Sequence, residues 1–512
     1  MTLTRRQLLL TSAGVGTGLL LGACTSGREG AGSGPAGGPP QRGGTLRVGA
    51  LGKASAVTRD PHGVQANESD YLIIALRYDT LTVPGSDTTV APRLATSWDS
   101  TDLRRWRFTI AENAHFHDGT PVTSDDVVWS LRRLRETPSG ASRLPGVDVQ
   151  GITPDGPGAV VLVSNYPNSA LPLQTRLTTF VLKKDTTDVA NAPGTGPFRL
   201  ESFRDGNARL VRNDDWYGGE VLLDAIEVRI FESPQAMASA LLTGQVDLAS
   251  NVGPVAARTA QGNSDVQIVR RPDDMAMPIV MRTADGPYAD VRVREALRLG
   301  VDRDAMVRQV LSGFGKIAND VLGTGDPAYA KDLPQRLRDL QRAEQLLNEA
   351  GFDRSKRYQL LTTEDISGLA ESAILFAAQL RDAGVMIDVV KQESTKFYDE
   401  SWLKAPLYTQ YWGTNDSVLF FASKTMVTDA PWNEAAWSDA AFDQAYRQAI
   451  STTDPAQRTQ LLHELQRIEH ERSGYLLWGM ADGVDLASTK VQGLPTLPGY
   501  GRVQLEGAWF AT

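Results

Sequence analysis

Aromatic side chains are concentrated in one short part of the chain, residues 398 to 437. Four of the ten tryptophans lie there, together with five other rings: Trp402, Trp412, Trp432, Trp437, Tyr398, Tyr408, Tyr411, Phe420 and Phe421. Flat rings provide a large contact area and lose little rotamer entropy on binding, which suits the wall of a ligand cleft. The same rings can also fill a core. Their density predicts noncovalent binding, and we take Trp402, Trp412 and Trp432 as candidate ligand contacts.

Patterns that indicate catalysis are missing from the sequence. It has no GxSxG nucleophile elbow and no GxxxxGK[ST] phosphate loop. His463-Glu464 begins like the zinc motif HExxH but ends in Arg467, and His470 would lie roughly 10 Å further along the helix axis. His115 and His117 would share one side of a strand, as metal ligands can, although a structural role is the simpler interpretation. We expect no enzyme, no metal and no cofactor.

Cys24 is the only cysteine, which excludes an internal disulfide framework. Arg5 and Arg6 precede an apolar stretch, residues 8 to 23, that has the length of a signal peptide, and Leu21-Gly22-Ala23-Cys24 resembles a lipobox. Residues 1–23 are therefore a predicted signal peptide, Cys24 the predicted lipidation site, and residues 24–43 a flexible tether rich in Gly, Pro and Ser. The predicted location is the outer face of the cytoplasmic membrane, reached by the twin-arginine or the general export route.

The length and charge of the chain limit its architecture and its partners. At 512 residues it is long enough for two or three domains. The formal charge of −9 offers no basic surface for a phosphate backbone, so we expect no nucleic-acid partner. Helical and strand-like periodicities alternate along the sequence, which predicts a mixed α/β fold.

One stretch, WRFTIAENAHFHDGTPVTSDDVVWSL from Trp106 to Leu131, combines a strand, a turn and a helix. Phe108 and Ile110 alternate with polar residues as in a half-buried strand. Asp118-Gly119-Thr120-Pro121 supplies turn residues. Thr123 followed three residues later by Asp126 predicts a capping box at the start of a helix.

This stretch resembles the signature "FHDGTP…DDV" of the family 5 solute-binding proteins, the oligopeptide, dipeptide and nickel-chelate receptors of bacterial ABC importers. Further segments resemble the family between residue 44 and about residue 480. They include Gly194-Thr195-Gly196-Pro197-Phe198, similar to "GTGPY", and residues 213–219, NDDWYGG, similar to "N-DYWGG". Residues 290–297, DVRVREAL, are similar to "DVRVRQAL". The resemblance covers nearly the whole chain after the tether.

The resemblance implies a type II periplasmic-binding-protein fold, with two α/β lobes joined by a hinge and a small extra domain on the first lobe. We place lobe I at residues 44–66, 185–285 and 480–512, its extra subdomain at 67–184, and lobe II at 286–479. Helices are expected over residues 71–81, 334–350 and 367–383.

The resemblance also directs attention to residues 411–416. Tyr411-Trp412-Gly413-Thr414-Asn415-Asp416 lies where peptide receptors of the family have "W-ADY-DP", whose aspartate pairs with the α-ammonium of the peptide. Here Asn415 takes the aligned position and Asp416 follows it. A neutral amide bonds an ammonium about half as strongly as a carboxylate does. If Asp416 turns into the cleft the ammonium site is kept; otherwise the ligand need not carry a free amino terminus.

The function that the resemblance implies is capture of a short peptide by a monomeric, lipid-anchored receptor, which delivers it to an ABC permease with its ATPase subunits. An oligosaccharide, an opine-like compound or a metal chelate is the alternative cargo within the same class. An exported hydrolase or a sensor subunit is the alternative of another class, and turnover of a bound peptide over hours would distinguish the hydrolase from a receptor.

Overall fold

A computed structural model describes residues 38–63, 67–85, 90–137, 143–176, 179–364, 366–413, 416–497, 499 and 503–511. The predicted signal peptide and Cys24 lie outside the described residues. Within those residues, no helix combines the length and the apolar character needed to cross a membrane.

The strands are β1 (Thr45–Leu51), β2 (Thr82–Pro84), β3 (Val90–Pro92), β4 (Ala95–Asp99), β5 (Arg105–Ile110), β6 (Thr153–Pro154), β7 (Ala159–Val163), β8 (Phe198–Arg204), β9 (Asn207–Arg212), β10 (Ala225–Phe231), β11 (Leu248–Ala249), β12 (Val266–Met281), β13 (Gly315–Ile317), β14 (Arg357–Thr362), β15 (Met386–Lys391), β16 (Leu407–Thr409), β17 (Tyr475–Ser488), β18 (Val491–Gln492) and β19 (Trp509–Phe510). The helices are α1 (Glu68–Arg77), α2 (Ser124–Glu136), α3 (Leu171–Gln174), α4 (Pro234–Leu242), α5 (Gly253–Arg258), α6 (Val291–Leu299), α7 (Arg303–Val310), α8 (Leu340–Glu349), α9 (Leu369–Leu380), α10 (Ser394–Lys396), α11 (Val418–Phe421), α12 (Ala440–Ser451) and α13 (Pro455–Arg472). Short 3₁₀ turns at Ala54–Ala56, Pro287–Ala289 and Arg381–Ala383 and π turns at Phe397–Ser401 and Ala422–Met426 complete the helical elements.

One large sheet runs through both halves of the protein, in the order β15-β14-β16-β12-β17-β11-β1-β10-β9-β8, with β13 beside β17. The antiparallel strands β12 and β17 are 16 and 14 residues long. One half of their ladder continues to β11 and β1, and the other half to β16. Register shifts between Arg271 and Met275 and between Met277 and Pro278 interrupt the ladder at the crossing. These two strands are shared by both halves of the sheet, and their pairing is irregular in the middle.

Separate hydrophobic cores lie in the two lobes. In lobe II, α6 to α9 pack on one face of the sheet. The aromatic-rich residues 398–437, here called the aromatic segment, pack on the other face together with α12 and α13. The first lobe has its own core around β1, β8, β9 and β10. The four strands β4, β5, β6 and β7 form a separate small sheet that packs against α2. The predicted boundary at residue 67 placed helix α1 in the extra subdomain. In the structure, α1 packs in the hydrophobic core around β1, β8, β9 and β10.

The capping box predicted at the start of α2 is confirmed. The Asp126 carboxylate accepts a hydrogen bond from the Thr123 backbone N–H at 2.8 Å, while the Thr123 hydroxyl accepts from the Asp126 N–H. Asp302 and Asp454 also act as N-caps, accepting hydrogen bonds from the first turns of α7 and α13. Each side chain satisfies backbone donors that have no partner inside the helix.

Two helix boundaries predicted from periodicity are wrong. Helix α1 begins and ends several residues earlier than predicted, because Asn67 and Asp70 form a capping box at its start. Helix α8 begins at Leu340 rather than Pro334, because the Asp339 carboxylate caps it. The preceding Leu337 is 72% exposed and belongs to no apolar face.

The turn Gly194-Thr195-Gly196 packs against the end of α1. The Gly196 N–H donates to the Arg77 carbonyl oxygen at 2.9 Å. The His117 ring accepts from the Gly194 N–H at 3.2 Å and lies 3.0 Å from the Gly196 oxygen. Burial lowers the pKa of His117 to about 4, so the ring is neutral and holds the turn. This geometry supports the structural interpretation of His117.

Replacing Gly194 with alanine is expected to lower the free energy of unfolding by about 3 kcal/mol, because a Cβ there would lie 1.8 Å from the Arg77 carbonyl oxygen. Urea denaturation followed by tryptophan fluorescence measures the change. Gly158→Ala is the control, since a Cβ at Gly158 meets no atom within 4 Å. Equal stability of the two variants would contradict the prediction.

Candidate ligand-binding site

The strand that carries Tyr411 and Trp412 lies beside β12, continuing the direction of β16. Backbone hydrogen bonds of 3.0 Å run in both directions between Trp412 and Ala276. Neighbouring residues of an extended strand point to opposite faces. Tyr411 therefore packs with the core of α6 to α9, whereas Trp412 packs on the face of α12 and α13. The structure does not bring Tyr411 together with the other candidate rings.

Trp402, Trp412 and Trp432, here called the tryptophan cluster, lie together on that second face. The ring centroids of Trp412 and Trp432 are 5.7 Å apart, and those of Trp402 and Trp432 are 6.5 Å apart. All three side chains are half-buried. The buried Phe421 packs edge to face against Trp412, with the two ring centroids 5.9 Å apart. Three of the predicted contact residues thus form one apolar surface.

Glu434 fixes two of these tryptophans. The Trp402 Nε1–H donates to one carboxylate oxygen at 2.9 Å, and the Trp412 Nε1–H donates to the other at 3.3 Å. The Tyr475 hydroxyl donates to the same carboxylate. Burial raises the pKa of Glu434 to about 7, since only 1% of the residue is exposed. Rings held in this way need little reordering to receive a ligand.

Asp416 is buried and forms an ion pair with Arg176. Burial raises the pKa of the Asp416 carboxyl, and the Arg176 guanidinium opposes that rise. Arg176 follows α3 and Asp416 precedes α11, so the pair joins two segments that are 240 residues apart in the sequence. The Ser169 N–H joins the same two parts of the chain, donating to the Ile450 oxygen at the end of α12 at 3.0 Å. Asn415 lies outside the described residues.

Lys424 borders the tryptophan cluster. Its side chain is 4% exposed, and its Nζ lies 5.4 Å from the ring centroid of Trp432 and 5.9 Å from that of Phe420. The backbone N–H of Trp432 donates to the backbone carbonyl oxygen of Lys424 at 3.0 Å. This hydrogen bond fixes the two residues relative to each other. Burial lowers the pKa of Lys424 to about 7, opposed by the nearby charge of Asp416.

The sequence singled out neither Glu434, Arg176 nor Lys424. Each is an isolated charged residue among apolar or polar neighbours, and its partners lie up to 240 residues away along the chain, as Arg176 and Asp416 do. The signals that marked this region were the aromatic density around Glu434 and Lys424 and the family resemblance of residues 411–416.

The histidines of the sequence patterns do not form a metal centre in the part of the chain that the structure describes. No three His, Cys, Asp or Glu side chains there are grouped as metal ligands. The His115 ring contacts the Asn113 oxygen at 2.9 Å. The His470 ring lies beside Arg336 and Asn319, and burial lowers its pKa to about 4.

A comparison with known protein families identifies the class to which the chain belongs. The profile of the bacterial extracellular solute-binding proteins, family 5, in its middle region, matches residues 89–434. The chain belongs to this family. The resemblance inferred from the sequence motifs is therefore confirmed, and the family is one of binding proteins that act outside the cytoplasm.

Relatives of this family 5 protein match most of its length. A probable di/tripeptide-binding protein of Pseudomonas aeruginosa is 24% identical and covers 81% of this chain and 86% of its own. The structure of DppA from Helicobacter pylori, in complex with the peptide STSA, superposes with a TM-score of 0.80 at 20% identity, covering 92% and 99% of the two chains. The structure of AgaA from A. tumefaciens R10, in complex with agropinic acid, superposes with a TM-score of 0.78 at 22% sequence identity. The match covers 92% of this chain and 99% of AgaA. The predicted two-lobed α/β fold is confirmed.

Proposed function

We propose that this family 5 protein is the receptor of an ABC importer, which captures a short peptide between its lobes and delivers it to a membrane permease and its ATPase subunits. The tryptophan cluster at the lobe boundary carries the proposal. The relative from P. aeruginosa is named for di- and tripeptides, and the H. pylori structure contains a peptide. The activity is binding, without turnover.

The geometry suits a ligand that is recognised by surface area as well as by charge. The Glu434 carboxylate holds two indoles in place, so the rings offer a preformed wall to side chains of different shapes. Closure about the crossing of β12 and β17 then buries the ligand. A ligand shifts the lobes toward the closed state only by its difference in affinity for the two states.

A second cargo, an opine-like compound, is favoured by the Asp416–Arg176 ion pair. The pair occupies Asp416, the carboxylate that would have to replace the aligned Asn415 in binding a peptide ammonium. A ligand without a free amino terminus would leave this pair intact. The structure of AgaA contains such a compound, agropinic acid.

Native mass spectrometry of the chain, purified gently from its own host, tests the proposal. Short peptides released on denaturation are the expected result, and titration calorimetry with the same peptides should give a saturable heat without hydrolysis over hours. A single mass that belongs to an opine, a saccharide or a metal chelate would show that this compound, and not a peptide, is the cargo. Hydrolysis of the bound peptide would overturn the assignment as a receptor.

The membrane attachment of this receptor is proposed from Cys24 and the lipobox that precedes it. Cys24→Ala is expected to release the protein from the membrane fraction or to stall its processing, because the alanine side chain offers no thiol for the lipid. Fractionation with intact-mass measurement reads out both effects. Unchanged mass and membrane retention would contradict lipidation, and Ser26→Ala, two residues further along, serves as the control.

A further inference from the structure

Lys424 is a buried lysine whose ammonium lies against aromatic rings. In the described ranges, no carboxylate lies within the 4 Å of its ammonium that an ion pair requires, and its contacts are the rings of Trp432 and Phe420. Lysines are almost never buried to this extent unless they are paired. The two aromatic faces offset part of the cost of burial. The remaining cost would be recovered if an anion reached the ammonium.

The charged residues that act on Lys424 are Asp416 and Arg143. The nearby acid Asp416 already pairs with Arg176. Arg143 lies close enough to act on Lys424 with the same sign of charge. The Glu434 carboxylate accepts hydrogen bonds from two indoles and one phenol, which hold it in place. Among the described residues, the protonated form of Lys424 therefore has no carboxylate at ion-pair distance beside the tryptophan cluster.

We propose that Lys424 is an anion-binding subsite, at which the ligand places a carboxylate against the ammonium beside the ring of Trp432. The inference rests on the proposed function, since it assigns a chemical feature to the captured ligand. The ligand is anionic at this end, and its apolar part lies on the tryptophan cluster. The carboxylate belongs either to the C-terminus of a peptide or to an acidic side chain.

Three tripeptide probes separate these sources in calorimetric titrations of the purified chain: trialanine, its C-terminal amide, and the amide of Ala-Glu-Ala. A probe whose carboxylate forms a hydrogen bond with the ammonium is expected to bind about 10- to 100-fold more tightly than a probe without that carboxylate. Trialanine binding more tightly than its amide assigns the C-terminus, and recovery with Ala-Glu-Ala amide assigns the side chain. Equal affinity for all three overturns the subsite.

Variants then tie the preference to Lys424. Lys424→Met should remove the preference for the carboxylate, and Lys424→Arg should retain it. Lys404→Met, at an exposed lysine of the same lobe, should leave it unchanged. A preference that persists in Lys424→Met overturns the inference.

Stability distinguishes a ligand subsite from a structural lysine. Removing an unpaired buried cation should leave the ligand-free melting temperature of Lys424→Met equal to or above that of the wild type. A fall of several degrees would show that Lys424 stabilises the fold and would overturn the subsite. If none of the probes binds, peptide capture fails. The ligand purified from the host then decides the inference separately, since a neutral or cationic ligand would overturn it.

Discussion

Trp432→Ala is expected to weaken ligand binding by about 30-fold or more, which corresponds to roughly 2 kcal/mol. Trp432 is the ring that contacts both other members of the tryptophan cluster and the Lys424 ammonium. Its loss removes apolar contact area and leaves Lys424 with fewer partners. Titration calorimetry with the ligand recovered from the host measures the change, and Trp432→Phe should lose less because it keeps an aromatic face.

Trp98→Ala is the matched control for this effect. Trp98 is also a half-buried tryptophan, but it lies on the small sheet of the first lobe, where its ring packs 6.4 Å from that of Phe108. The control should bind the ligand as the wild type does. Equal affinity of Trp432→Ala and the wild type would remove the tryptophan cluster from the binding site.

Arg176→Met is expected to lower the free energy of unfolding by about 3–5 kcal/mol, because it leaves the buried Asp416 carboxylate without its cation. The loss should depend on pH. Without Arg176, the folded-state pKa of Asp416 rises further above its unfolded value, so stability is lost as pH rises through that folded pKa. Urea denaturation should therefore show a larger deficit at pH 8 than at pH 5.

A double-mutant cycle isolates the ion pair from other effects of Arg176. Arg176→Met combined with Asp416→Asn should be less destabilised than the sum of the two single variants, because the second change removes the uncompensated charge. Arg308→Met, at an exposed arginine of α7, should leave stability unchanged. Additive losses in the cycle, or a deficit that does not change with pH, would contradict a buried ion pair between Arg176 and Asp416.

Local signals in the sequence predicted the elements that depend on neighbouring residues. The capping box of Thr123 and Asp126 formed because both partners lie within one helical turn. Periodicity was less reliable at helix ends. It extended the α8 pattern back to Leu337, although the Asp339 side chain capped a later start. An apolar residue in phase with a helix does not show that the backbone there is helical.

The aromatic segment indicated binding but not the arrangement of its rings. Tyr411 and Trp412 are adjacent in the sequence, and both were candidates. The alternation of a strand places them on opposite faces, so only Trp412 joins the tryptophan cluster. The sequence contained that alternation, but the strand assignment depended on pairing with Ala276, which lies more than a hundred residues earlier.

The sequence by itself determined the family, the mixed α/β class and the aromatic character of the candidate site, because motifs and composition are local properties. Only the tertiary structure decided which charges meet. It paired Asp416 with Arg176, 240 residues earlier in the chain, fixed two indoles on Glu434 and left Lys424 buried among aromatic rings. Such contacts depend on how distant segments fold together, since burial and the distance between charges, rather than residue type, set the strength of an electrostatic interaction.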